Sequence, residues 1–190
     1  MSVGTVVGRS FSARFLRLGK VFLILLFLSA NIIDAAEQAD EYVMKMAYLF
    51  KLTYFVDWSA VSGYAASGSF VMGVTVPNSF NGTLADVPVG AAFCPRGIHV
   101  IEVHSIADLE RCNLIYFDPK SSIQDELLQT ANRTGVLTVG DGTGFLDKGG
   151  MIAFTLENNR LRFSINLVKA QGAGIKIKSQ LLSLAVDVRR

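Results

Sequence analysis

Gly149–Leu167, GGMIAFTLENNRLRFSINL, is the stretch on which the fold turns. Ile152, Phe154 and Leu156, then Leu161, Phe163, Ile165 and Leu167, alternate with small or polar residues at the two-residue period of a half-buried strand. Asn158-Asn159 between the two runs tolerates the positive φ of a type I′ turn, and Glu157 opposite Arg160 adds a cross-strand charge pair. The stretch is therefore a β-hairpin.

Upstream of it, short apolar runs alternate with helical segments. Phe70 to Val76, Gly97 to His104, Cys112 to Phe117 and Val136 to Val139 have the β-branched, apolar character of buried strands. Between them, helices are expected over Phe80 to Val87, over Ser105 to Glu110 with Ser105 as N-cap, and from Ser121 or Ser122 to about Asn132. Strands separated by helices imply crossover connections. The fold class is thus α/β, a mainly parallel sheet flanked by helices on both faces, with the antiparallel hairpin in the C-terminal part. Ahead of the sheet, residues 38 to 58 form an amphipathic helix, with Val43, Met46, Ala47, Phe50, Tyr54 and Trp58 recurring at three- and four-residue steps. Lys45, Lys51 and Asp57 fall toward its wet side. After the hairpin, a short helix is expected over Asn166 to Ala173, an extended piece through Ile175 and Ile177, and a last helix capped by Ser179 that turns Leu181, Leu182, Leu184 and Ala185 to the core.

The first 36 residues are set apart from this fold. Arg9, Arg14, Arg17 and Lys20 form a basic n-region, Val21 to Ala30 an apolar h-region, and small residues follow, so a signal peptide cleaved near Ala35 or Ala36 is expected, with a retained anchor as the rival reading. The run from Val21 to Ile33, interrupted by Ser29 and Asn31, falls short of the ~20 residues that a spanning helix needs. Residues 37–190 then form a single exported domain. Losing 1–36 removes four of the 18 basic and one of the 16 acidic residues, which brings the net charge near −1. The basic balance of the whole chain therefore belongs to the leader and gives no argument for a nucleic-acid partner.

Chemistry-bearing constellations are sparse. Gly140-Asp141-Gly142-Thr143-Gly144 follows a strand, but its glycine spacing does not fit a dinucleotide fingerprint and a hairpin is expected to follow directly. Glu102 and His104 share a strand face with His99 on the other, too few ligands for a metal site. No Gly-x-Ser-x-Gly elbow and no Cys-x-x-Cys pair is present, so no enzyme and no cofactor is expected. Cys94 and Cys112 either form a disulfide, closing an eighteen-residue loop worth up to ~3 kcal/mol, or stand as two separate thiols. Tyr54 and Trp58 at the helix end either pack on the sheet or meet a partner, and Arg160 and Arg162 either blunt an edge strand or contact an acidic surface.

AYLFKLTYFVDW resembles the opening motif of the YfiR family of periplasmic proteins. RCNLIYF is similar to that family's third-strand motif, and VLTVGD followed by GGMIAF to its fourth strand and Gly-Gly lead-in to the hairpin. LRFSINL with AGIKIKSQLLSLA is similar to its C-terminal signature, and together these pieces span about residues 42 to 186. The resemblance implies a regulatory binding protein that docks on and represses an inner-membrane sensor or signalling protein, typically a diguanylate cyclase, with an outer-membrane lipoprotein able to sequester it and a homodimer as a further expectation. The other class of function kept open is a small-ligand-binding accessory protein for a membrane receptor or transport system, using the crevice at the strand C-terminal ends.

Overall fold

The structure, a computed structural model, describes residues 41–58, 70–76, 97–121 and 125–190. Three expected features lie outside these: the leader, the helix at Phe80 to Val87, and Cys94. Helix α1 occupies 41–54 and is followed by strand β1 (Val56–Asp57). Then come β2 (Phe70–Val74), β3 (Ile98–Glu102), α2 (Ile106–Leu109), β4 (Leu114–Phe117), α3 (Asp125–Thr134), β5 (Leu137–Asp141) and α4 (Thr143–Asp147). The hairpin strands β6 (Ile152–Glu157) and β7 (Arg160–Asn166) lead to α5 (Leu167–Gly172), β8 (Lys176–Ile177), α6 (Ser179–Leu184) and β9 (Val188–Arg189).

Among the described residues, seven strands form one sheet in the order β3-β2-β4-β5-β6-β7-β9, while β1 and β8 form a separate antiparallel pair. β3, β2, β4, β5 and β6 run parallel, β7 runs antiparallel to β6, and β9 is parallel to β7. The α/β class with a mainly parallel sheet and a C-terminal hairpin is therefore the observed one. From β2 the chain goes out to the edge strand β3 and returns to β4 on the other side of β2. That reversal places a topological switch point at the C-terminal ends of β2 and β4.

Strand alternation divides the core into two layers. Phe70, Met72, Val74, Tyr116, Val139, Phe154 and Phe163 face α1, α5 and α6, whereas Ile115, Phe117 and Ala153 face α2, α3 and α4. The hairpin closes as its residues dictate: Asn158 and Asn159 take φ of 49° and 60°, and Glu157 lies opposite Arg160.

Several local expectations are corrected. α1 ends at 54 rather than at Trp58, because Val56 and Asp57 leave the helix to pair with Ile177 and Lys176 of β8. Met46 and Phe50 are buried as expected, but the rest of the buried face is rotated: Tyr42, Lys45, Leu49 and Leu52 are buried, while Val43 and Tyr54 are 52% and 42% exposed. Leu184 of the last helix is likewise turned to solvent, and only Leu181 of that helix is fully buried.

The Gly140–Gly144 segment does not run straight into the hairpin: it ends β5 and starts α4, which buries Phe145 and Leu146. The Phe145 ring lies so close to Gly140 and Gly150 that a Cβ on either would stand 2.6 and 2.2 Å from its carbons. Gly150→Ala is accordingly expected to lower stability by about 1–3 kcal/mol through overpacking. A denaturant midpoint measures this, and combining Gly150→Ala with Phe145→Leu should recover part of the loss.

Candidate interaction surface

One flank of α1 carries Met44, Tyr48 and Lys51, continued by Phe55 just past its end, a stripe at helical spacing whose aromatic and methionine side chains are only partly buried against the core. Tyr48 is held edge-on against Phe154 and Phe163, with ring centroids 6.1 and 6.4 Å away, and the Lys51 ammonium lies over its ring at 5.9 Å. Beside this stripe runs a groove of about 450 Å³ between α1, α6 and β7. Tyr48, Tyr54, Phe55, Phe163 and Leu184 line it, with Lys51 at its margin. The end of α1 is fastened to the start of α6 by Lys178, whose backbone N–H donates to Phe55 O and whose ammonium donates to Tyr54 O, each at 2.8 Å. A second, shallower depression of about 290 Å³ meets the first at Tyr48 and is bordered by Met44, Asn159, Arg160, Leu161 and Arg162.

The structure thus brings three of the four sequence-predicted contact residues to one surface. Tyr54 lines the groove, and Arg160 and Arg162 are exposed beside it. Trp58 is not there. It is 3% exposed, stacks edge-on against Phe70 at 4.9 Å, and its indole N–H donates to Thr53 O at 2.7 Å, so it belongs to the core.

Of the two alternatives for Cys112, bridged or separate, the structure has it as a free, buried thiol. Its Sγ lies 3.4 Å from the Asp108 carbonyl, toward which the thiol donates, and packs so near Gly73 that a Cβ there would stand 2.8 Å away. Facing inward under β2, it is sheltered from disulfide exchange. Burial pushes its pKa from 9.0 up to about 12. In a Cys94→Ser variant this thiol should stay silent toward a thiol reagent at pH 8 and react once the protein is unfolded. Rapid reaction of the native protein would show that the site is open.

Sequence reasoning missed a polar cluster at the switch point. Lys45 of α1, 4% exposed, makes ion pairs with Glu41 and with Asp141 at the end of β5. Tyr42, one turn earlier, donates its hydroxyl proton to the fully buried Asp118 at 2.7 Å. Asp118 in turn accepts from the Lys120 N–H at 2.8 Å, and its own N–H donates to Thr75 Oγ1 at 3.0 Å. Burial raises the pKa of Asp141, and burial followed by the neighbouring Asp141 and Asp118 carboxylates raises that of the Tyr116 hydroxyl. The available signal was a carboxylate just beyond β4 and another at the end of β5, where open α/β sheets gather polar groups, together with a lysine on the apolar face of the first helix. Here α1 itself supplies the groups that meet those carboxylates. Elsewhere, His104 Nε2 lies 3.1 Å from Glu102 Oε1 with both side chains exposed, and among the described residues no group of three or more His, Cys, Asp or Glu is placed to hold a metal ion.

A family model described as YfiR/HmsC-like matches residues 42–186. No curated protein matches. Among solved structures, the chain is similar to a conserved domain protein from Vibrio cholerae, with 16% identity, a TM-score of 0.48, and coverage of 64% of this chain and 55% of that one. It is also similar to an ABC domain in complex with L-Trp from Streptococcus pneumonia, with 11% identity, a TM-score of 0.43, and coverage of 69% and 57%. The matched region thus spans little more than half the length of either. Among the described residues, no helix is long and apolar enough to cross a membrane.

Proposed function

Because the chain belongs to the YfiR/HmsC-like family, whose match takes in residues 42–186, we propose that it is a periplasmic regulatory binding protein that docks on an inner-membrane signalling protein and represses it. The partner is a diguanylate cyclase, and the repressor is released when an outer-membrane lipoprotein sequesters it. Repression is a population shift: a protein that binds the inactive arrangement of its partner more tightly than the active one drains the active population by that difference in affinity. Such a protein needs a partner surface, not a reaction centre. The observation that carries the reading is the aromatic groove along α1, since exposed apolar area of this kind commonly marks interaction sites. A homodimer is compatible with this role.

The test is a pull-down of the exported, tagged chain from detergent-solubilised inner membrane, joined to a measurement of cyclic-di-GMP in cells with and without the protein. Recovery of a membrane cyclase, with cyclic-di-GMP rising when the protein is deleted, supports the reading. Recovery of a transporter or receptor with no cyclase, and no change in cyclic-di-GMP, replaces it with the accessory-protein function.

A further inference from the structure

The inner edge of β7 is fully used, since it pairs with β6 from Ile152↔Ile165 to Glu157↔Arg160. The outer edge is used over only part of its length. β9 registers with Ile165 and Asn166 alone, through an Ile165 N–H bond to Asp187 O and a Val186 N–H bond to Phe163 O, both at 2.9 Å. Phe163 and Ile165 therefore turn backbone groups to the outside, and the two-residue period of a strand turns those of Leu161 the same way. No described strand pairs with β7 at Arg160–Arg162.

This open edge lies beside a helix. Met44 and Tyr48 of α1 border the depression next to Leu161, and that depression joins the aromatic groove at Tyr48. An edge strand with a helix-walled groove alongside is the arrangement by which extended peptides are bound as an added strand, backbone bonds giving affinity and alternate side chains giving selectivity. We propose that the outer edge of β7 at Arg160–Arg162 is a strand-addition site for an extended segment of the partner, in which apolar residues alternate with acidic ones. This deepens the docking function proposed above and rests on it.

The alternation follows from the register. Leu161 and Phe163 belong to the sheet face that meets α1, so side chains of an added strand on that face enter the groove against Tyr48 and Leu184. The intervening positions fall on the face of Arg160 and Arg162, both exposed, where a carboxylate has an opposite charge beside it. The same charges argue against a second copy as the occupant. Joining two β7 edges would bring four arginines onto one sheet, and adjacent like charges on neighbouring strands are destabilising. The arginines also deter unselective pairing of the open edge, as charges on edge strands do.

The probe is a synthetic seven-residue peptide alternating valine with glutamate, compared with the same peptide carrying lysine for glutamate. Each is titrated into the exported chain while amide exchange is followed residue by residue. The glutamate peptide should bind and slow exchange at the Leu161 and Phe163 amides at least tenfold, and the lysine peptide should not. The double charge reversal Arg160→Glu with Arg162→Glu should weaken the glutamate peptide at least tenfold and bring in the lysine peptide. Absence of binding, binding without protection of those two amides, equal binding of both peptides, or self-association through this edge would each overturn the proposal. The double variant in the membrane pull-down separates the two claims. If it still captures the cyclase, the docking function stands and the edge is not its site. If the wild-type chain captures no cyclase while the peptide result holds, the docking function fails instead.

Discussion

Lys45→Met is expected to lower the stability of the protein by about 3–5 kcal/mol, because it removes one side of a buried charge pair and leaves the Asp141 carboxylate without its counter-ion. The Lys45 side chain is 5% exposed and that of Asp141 is 19% exposed, so water replaces little of what is lost. The loss would be read from the urea midpoint followed by circular dichroism. Replacing both members, Lys45→Met with Asp141→Leu, should recover a large part of it, since a well-packed apolar pair is often no worse than a buried ion pair. Burial alone would lower the Lys45 pKa, but hydrogen bonds from the ammonium to Asp141 and then Glu41 outweigh it, and the net shift is upward from 10.5.

The direction of that shift sets the pH window. A group whose folded-state pKa is raised contributes stability that is complete below the unfolded value, here 10.5, and is lost as the pH climbs through the folded value. The wild-type protein should therefore lose stability from this pair above pH 10.5, and Lys45→Met should lack that component. A Lys45→Met protein within about 0.5 kcal/mol of wild type, the range of ordinary surface changes, would mean that α1 does not depend on the pair.

Trp58→Ala is expected to cost a further 3–5 kcal/mol or so in its own right, the range for deleting a buried aromatic side chain. The indole fills the space between the end of α1 and Phe70 at the start of β2, and its N–H satisfies Thr53 O. Alanine leaves a cavity there and takes away that donor. Since small domains are stable by only about 5–15 kcal/mol, a substantial unfolded population is expected at moderate temperature. Trp58→Phe should cost less, as it keeps most of the packing and loses only the hydrogen bond. A Trp58→Ala protein that melts like wild type yet no longer binds its partner would instead make Trp58 a contact residue. The contrast with Tyr54 is informative: Tyr54→Ala removes a 42% exposed ring from the groove and should change binding far more than stability.

The two residues also show why one first helix yielded correct and incorrect expectations together. Its existence follows from the run 38–58, which holds no Pro or Gly and has a helical period. Its phase does not, because Lys45 carries the charge of a surface residue and sits on the buried side. A lysine in that place is tolerable only if a carboxylate waits opposite it, and Asp141 is 96 positions away along the chain. Local pattern cannot report a partner at that distance, so it places Met46 and Phe50 correctly but turns Val43 and Tyr54 inward with them and leaves Tyr42 out. The same applies to Leu184, whose exposure depends on how α6 is docked against α1 rather than on its own sequence. The short elements escaped for another reason. β9 has two residues and α4 five, below the length at which a period can be counted.

By itself, the sequence determined the elements whose cause is local and repetitive. The hairpin is specified by alternation and by two asparagines able to take positive φ, the parallel strands by apolar runs separated by helices, and the α/β class by their succession. Motif order along residues 42–186 likewise carried the family. The tertiary structure decided whatever depends on groups far apart in the chain. It turned Trp58 inward and Cys112 into an unbridged thiol, and it brought Lys45 and Tyr42 onto the carboxylates at the switch point. It also left a length of the β7 edge, beside the aromatic side of α1, unpaired by any described strand. Each of these is a balance between burying a group and satisfying it, and the partner that settles the balance is supplied by the fold rather than by neighbours in sequence.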